Sequence, residues 1–213
     1  MDQARWQQIV ERPLNVAALV FLIAYSWRVI GDLQGAEAAI ANAVLLAAWL
    51  VFLANYLASL ALSTDRRRWF TGHLFDLLVV ALPALRPLRL LRYVRLRRFE
   101  RTVGDALRSR ISVYLAATIA LLVYMATLSV LDAERSAPGA NITTLGDGLW
   151  WSLVTITSVG YGDFYPVTLQ GRIVAAGLML CGIGMLGLVT AALASWIVER
   201  IQKTRPDQPD PDQ

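Results

Sequence analysis

Apolar positions in this chain gather into long unbroken blocks, with the charged positions confined between them. Four blocks stand out, at 14–30, 38–62, 111–131 and 167–198. Each reaches the roughly 20 residues that a helix needs to cross a hydrocarbon layer. A shorter run at 74–82 is ambiguous by hydropathy alone. Arg5 and Arg12 precede the first block, Arg66, Arg67 and Arg68 follow the second, and Arg200, Lys203 and Arg205 follow the last. The acids Asp32 and Glu37, and later Asp132 and Glu134, lie at the opposite block ends. Arginine-rich segments stay on the cytoplasmic side, which puts both termini inside and demands an even number of spans. Four spans would leave Arg66–Arg68 and Asp132 on the wrong relative sides. Two further short spans between residues 69 and 99 restore the alternation. Pro83 suits the end of one and Pro87 the first turn of the next, where a missing N–H costs nothing.

The pattern therefore predicts an all-α membrane protein with six transmembrane helices, at about 14–31, 39–62, 70–83, 86–101, 111–131 and 167–201. Residues 1–13 form a cytoplasmic N-terminus, 97–110 an amphipathic linker helix on the inner surface, and 202–213 a disordered tail rich in proline and aspartate. No cyclic-nucleotide module is expected after the last span. Composition agrees: 56% of the 213 residues are hydrophobic, and the mean hydropathy is +0.49. The net charge of +4 comes almost entirely from arginines placed between apolar blocks. Membrane orientation explains them better than nucleic acid does, so no nucleic-acid partner is expected. Cys181 is the only cysteine and His73 the only histidine. With no metal cluster, acid pair or nucleophile–base set, neither an enzyme nor a cofactor is expected. A proton-coupled carrier is disfavoured because Asp76 is the only acid inside the short third span.

Arg86, Arg89, Arg92, Arg95, Arg98 and Arg101 recur at intervals of three, with apolar residues filling most gaps. In a 3₁₀ helix such a row becomes one straight column. A basic helix on the membrane surface is the plain alternative, but it gathers its arginines at mixed spacings of three and four. Each arginine at the bilayer centre costs ~2.5–3.5 kcal/mol on insertion scales, and each charge moved through 100 mV is worth about 2.3 kcal/mol. Voltage sensing accounts for the ladder, with Asp76 as its main internal counter-charge and Asp32 and Glu37 available to the outer arginines. Asp76 also suits the acid-favouring first turn of a helix. The arginines are also suited to anionic phospholipid headgroups.

The segment Ser158-Val159-Gly160-Tyr161-Gly162-Asp163 interrupts the lipid-like sequence. Irregular backbone at membrane depth is tolerated only where protein shields it or where it lines water. Residues 146–157, with Trp150 and Trp151, form a short helix that dips in and stops, and 158–163 follow as a strand. Glycines open backbone angles closed to other residues. Alternating such angles turns successive carbonyls the same way, and four copies around an axis make oxygen rings that replace the water around a potassium ion. A glycine-rich outer turn leaves the paired tryptophans and Asp163 unexplained.

Residues 155–163, TITSVGYGD, look like the signature of potassium channels. Over 149–200 the chain is similar to the pore of small two-span bacterial potassium channels. The first hundred residues look more loosely like a voltage-sensor domain (14–104) ahead of a pore domain (111–201). The combination resembles a bacterial six-span voltage-gated potassium channel, which implies a homotetramer in the cell membrane with potassium as transported ion. It implies that the carbonyls of Ser158, Val159, Gly160 and Tyr161, with the Ser158 hydroxyl, bind potassium. Gly162 completes the strand, and Thr157, Trp150, Trp151 and Asp163 support it. Trp150 is expected to hydrogen-bond Asp163, Trp151 to brace Tyr161, and Tyr165 to ring the outer mouth. Gly182 falls at the inner-helix hinge, and Gly187, Thr190 and Ala194 belong to the gate. From the residues alone, Gly182, Gly184 and Gly187 equally suit close helix packing. Phe52 matches the aromatic that caps the charge-transfer site, but Asn55 stands where sensors carry an acid. Ser158 replaces the usual threonine, and Val154 stands where some two-span channels have glutamate. The turn between the third and fourth spans is also short. These departures motivate an alternative: a potassium channel whose sensor-like domain is largely structural and whose gate answers lipid, pH or a ligand.

Overall fold

A computed structural model describes residues 3–61 and 105–204. The arginine ladder at Arg86–Arg101, Asp76, the two short spans and residues 205–213 lie outside the described residues. What is described is helical: α1 (Gln3–Ile30), α2 (Gly35–Ala61), α3 (Asp105–Glu134), α4 (Leu145–Ile156) and α5 (Leu169–Thr204). Four of these carry windows long and apolar enough to cross a membrane: Pro13–Ile30, Gly35–Ala61, Leu115–Glu134 and Leu169–Val198. The apolar blocks become the helices expected of them, and the described part is an all-helical membrane protein.

Two boundaries differ from the expectation. α1 begins at Gln3 and runs through Pro13, so most of 1–13 extends the first span as helix. Its glutamines, arginines and glutamate are good helix formers, and Pro13 removes only one backbone donor. The linker and outer helices also do not separate at residue 110. α3 is a single helix of 30 residues, about 45 Å at 1.5 Å per residue. No glycine or proline lies between Asp105 and Glu134 to break it. α5 carries on to Thr204, into the segment expected to be tail.

α3 is the common post of the fold, and its two faces serve two cores. Leu122, Val123, Ala126 and Val130 pack with Ile142, Trp151 and Ile156 around α4, and with Val174, Ala175 and Leu178 of α5. Met125, Leu128 and Leu131 point the other way, against Phe21, Ala24, Tyr25 and Val29 of α1 and Leu45 and Ala48 of α2. Spacings of three and four keep each set on its own face of the helix. Toward the end of α3 the apolar contact with α1 gives way to a polar seam. Tyr124 donates its hydroxyl to Ser26 Oγ at 2.6 Å. Tyr25 donates to Asp132 at 3.3 Å, and Arg28 pairs with the same carboxylate at 3.3 Å. Arg135 reaches back to the Val29 carbonyl at 2.7 Å and to Asp32 at 3.0 Å. Asp32, held in reserve for the outer arginines, is thus engaged by Arg135.

On α2, the residues Ala41, Leu45, Ala48, Phe52 and Tyr56 make one buried stripe. Phe52 lies on that stripe, with Asn55 half-buried beside it. Many other apolar side chains of α1, α2 and α5 are exposed, as lipid-facing surface is.

A candidate ion filter

The geometry of the filter starts with how α4 is held. Thr144 is its N-cap, in extended conformation at φ −118° and ψ 161°. The Asp147 N–H donates to Thr144 Oγ1 at 3.2 Å, and the Thr144 N–H donates to the Asp147 carboxylate at 2.9 Å. This reciprocal box satisfies two donors that a helix start leaves unpaired. Burial raises the Asp147 carboxyl, but hydrogen bonds from Thr144 and Thr143 together outweigh it and hold it below its ordinary 3.8. A depressed carboxyl contributes stability at pH above its unfolded value, and loses that contribution as pH falls through the folded one. Thr144→Ala is expected to cost about 1 kcal/mol. Its effect should show as a lower thermal midpoint at neutral pH, with the gap to wild type narrowing under acid.

On its inner side α4 touches α3 through hydroxyls. Thr127 donates to the Val123 carbonyl at 2.8 Å and lies 3.1 Å from Ser152 Oγ. Gly148 lets the two backbones approach, since a Cβ there would meet Thr127 at 3.3 Å. At its other end Thr157 closes the helix, its hydroxyl donating to the Leu153 carbonyl at 2.8 Å. The N–H groups of Ser158, Val159 and Gly160 still reach back to carbonyls of Thr155 and Val154 at 3.0–3.1 Å.

From there the backbone alternates. Ser158 has φ +60°, Gly160 +54° and Gly162 +79°, while Val159 and Tyr161 stay in the negative half. Serine in the left-handed region costs of the order of 1–2 kcal/mol. A β-branched residue at that angle is more strained still, so the absent methyl eases this position. Val159 and Tyr161 are exposed in the single chain, Tyr161 to 68%.

Trp150 donates its indole N–H to Asp163 Oδ2 at 2.7 Å. The other carboxylate oxygen accepts the Phe164 N–H at 3.0 Å. The ring lying on Tyr161 within the chain is that of Trp150, parallel to within 3° with centroids 5.7 Å apart. Trp151, the residue expected to brace Tyr161, packs within its own chain in the α3–α5 core. Adjacent residues on a helix point about 100° apart, and within the chain the two tryptophans take different surroundings. Tyr165 is exposed beyond the strand, with its N–H donated to Asn141 Oδ1 at 3.3 Å.

In sequence Glu134 is an acid at the end of the third long block; in the structure it is 0% exposed. Its carboxylate accepts the N–H groups of Val167 and Thr168 at 2.9 and 3.0 Å and the Thr168 hydroxyl at 2.6 Å. Three donors on one carboxylate fasten the end of α3 to the start of α5. Gly182 is buried where α5 crosses the end of α4, and a Cβ there would run into the Ile156 carbonyl. That is a close-packing role. Gly187 has open space around it, and Thr190 and Ala194 lie on the exposed part of α5. The spacing of Thr144 and Asp147 is a local signal for this cap that the sequence reading above did not use; Glu134, Asn141 and the Thr127–Ser152 contact carry none.

Comparison with known proteins concerns the same stretch of the chain. Residues 111–199, which hold the candidate filter with α4 and most of α3 and α5, match the family model described as ion channel. The chain is 26% identical over 218 aligned positions to a cyclic nucleotide-gated potassium channel of Rhizobium etli, covering 91% of this chain and 59% of that one. It is 30% identical over 114 positions to a voltage-gated potassium channel of Aeropyrum pernix, covering 54% of this chain and 37% of the relative. With human potassium voltage-gated channel subfamily KQT member 4 it shares 36% over 83 positions, 39% of this chain and 12% of that one. The chain thus spans less than two thirds of the length of these relatives. These matches bear out the resemblance to bacterial potassium channels that the motif at 155–163 carries.

Proposed function

We propose that four copies of this chain form a potassium-selective channel opened by membrane voltage. The observation that carries the conduction reading is the alternation of positive and negative φ from Ser158 to Gly162. Such a strand turns successive carbonyls the same way, and four strands around an axis supply rings of oxygen to a dehydrated cation. Carbonyls of Ser158, Val159, Gly160 and Tyr161, with the Ser158 hydroxyl, hold the ion. The C-terminal end of α4, which carries partial negative charge, meets the strand at Thr157, a polarity that suits a cation. Single-chain exposure of Val159, Tyr161 and the apolar face of α5 around Leu180, Ile183 and Leu186 supports assembly. Tyr165 rings the outer mouth, and Gly187, Thr190 and Ala194 line the inner gate.

The arginines from Arg86 to Arg101 carry the gating charge, with Asp76, Phe52 and Asn55 along their path. Steps between strongly negative and strongly positive voltage in planar bilayers test this. Open probability should change by about 10-fold or more, and Arg92→Gln should make that change shallower. A second reading has its own support: the relative aligned with 91% of this chain is named as cyclic nucleotide-gated, and Asn55 replaces a sensor acid. Under that reading, the voltage response is flat while potassium selectivity remains.

A further inference from the structure

We propose that Asn141 is a positioning residue for the outer end of the filter, clamping the backbone at Asp163–Tyr165 from the α3–α4 loop. The inference rests on the conduction reading above. The loop is itself fixed: Ile142 is 0% exposed and packs in the core with Trp151 and Val130. That plug sets the register of the neighbouring residue at the protein's rim. The Asn141 amide nitrogen donates to the Asp163 carbonyl at 2.9 Å, and its oxygen accepts the Tyr165 N–H at 3.3 Å. One contact needs a donor and the other an acceptor, so a single orientation of the amide satisfies both.

The clamp acts at a point where the strand has little else to hold its main chain. Gly162, immediately before Asp163, has φ +79° and nothing within 4 Å of where a Cβ would sit. Glycine there can rotate with little steric penalty. Trp150 restrains the Asp163 side chain; Asn141 restrains its backbone. The two restraints meet on the same residue from different segments, 13 and 22 positions away in sequence. Without the amide, the peptides beside Gly162 lose their outer anchor, and the last carbonyls facing the ion lose their spacing.

Purified full-length protein in planar bilayers tests the clamp, with Asn141→Ala, Asn141→Asp and Asn141→Gln beside wild type. Aspartate keeps the size and the acceptor but has no amide donor, and alanine removes both contacts. The readout is the rate at which current declines during sustained opening, at low and at high external potassium. An ion in the strand props it open, so high potassium should mask a loosened anchor. The Ala and Asp variants should decline at least about fivefold faster at low potassium, the factor one net hydrogen bond supplies. High potassium should restore them toward wild type, and glutamine, with the same groups on a longer stem, should fall between. A general loss of stability would not be rescued by potassium in this graded way. Should Asn141→Asp fail to assemble, Asn141→Ala carries the same comparison. Variants that decline like wild type at both potassium levels overturn the clamp and leave the conduction reading intact. A wild type that does not select potassium overturns both.

Discussion

Glu134→Gln is expected to lower the thermal midpoint of the detergent-solubilised protein more than any other single change at the pore. The side chain is fully buried and accepts three hydrogen bonds, from Val167 N, Thr168 N and Thr168 Oγ1. Glutamine keeps the shape but presents an NH₂ where a backbone N–H points, so donor faces donor. Hydrogen bonds to a charged group are worth about 1.5–3 kcal/mol each, and an unmatched buried group adds its own desolvation cost. A loss of about 3 kcal/mol follows, read from thermal or denaturant unfolding. Gly171 supplies an internal check. A Cβ at Gly171 would collide with Glu134 Oε1 and come within 2.8 Å of Pro166 Cβ. Gly171→Ala should therefore destabilise through the same carboxylate, and the double variant should lose less than the sum of the two. Additive losses would show that Glu134 and Gly171 act separately.

Gly182→Ala should have the second largest effect, and it separates two roles that the sequence left open. The added methyl would meet the Ile156 carbonyl oxygen, with the carbonyl carbon at 3.2 Å and the α-carbon at 3.3 Å. Backbone cannot swing aside as a flexible side chain does. Overpacking of this kind costs about 1–3 kcal/mol, and here it pushes on the end of α4, where the strand begins. The expected result is a lower thermal midpoint together with altered conduction. Gly187→Ala is the control. Its surroundings are open, and alanine is favoured over glycine within a helix by up to about 1 kcal/mol. It should leave stability unchanged or slightly raised while any gating change persists. Equal stability for the two variants would make Gly182 a hinge without a packing role.

The parts legible in the sequence were those written in local pattern. Apolar blocks gave α1, α2, α3 and α5 because a helix crossing lipid must be apolar along its length. The run at 158–163 marked irregular backbone because glycine alternation has few other uses inside an apolar chain. Where a side chain's role was not legible, its partner lies far away in the chain. Nothing near Glu134 in sequence shows that Val167 and Thr168 will meet it. Arg135 and Asp32 find each other across 103 positions. The expected boundary at residue 110 separated an amphipathic linker from the apolar block. Helix continuity depends instead on the absence of a breaker.

The most direct measurement is the reversal potential of single-channel currents from the purified protein, with potassium on one side of the bilayer and sodium on the other. Four carbonyl-lined strands require current steps that reverse close to the potassium equilibrium potential. Reversal near zero, with sodium carrying current as readily, would contradict a filter built from Ser158 to Gly162.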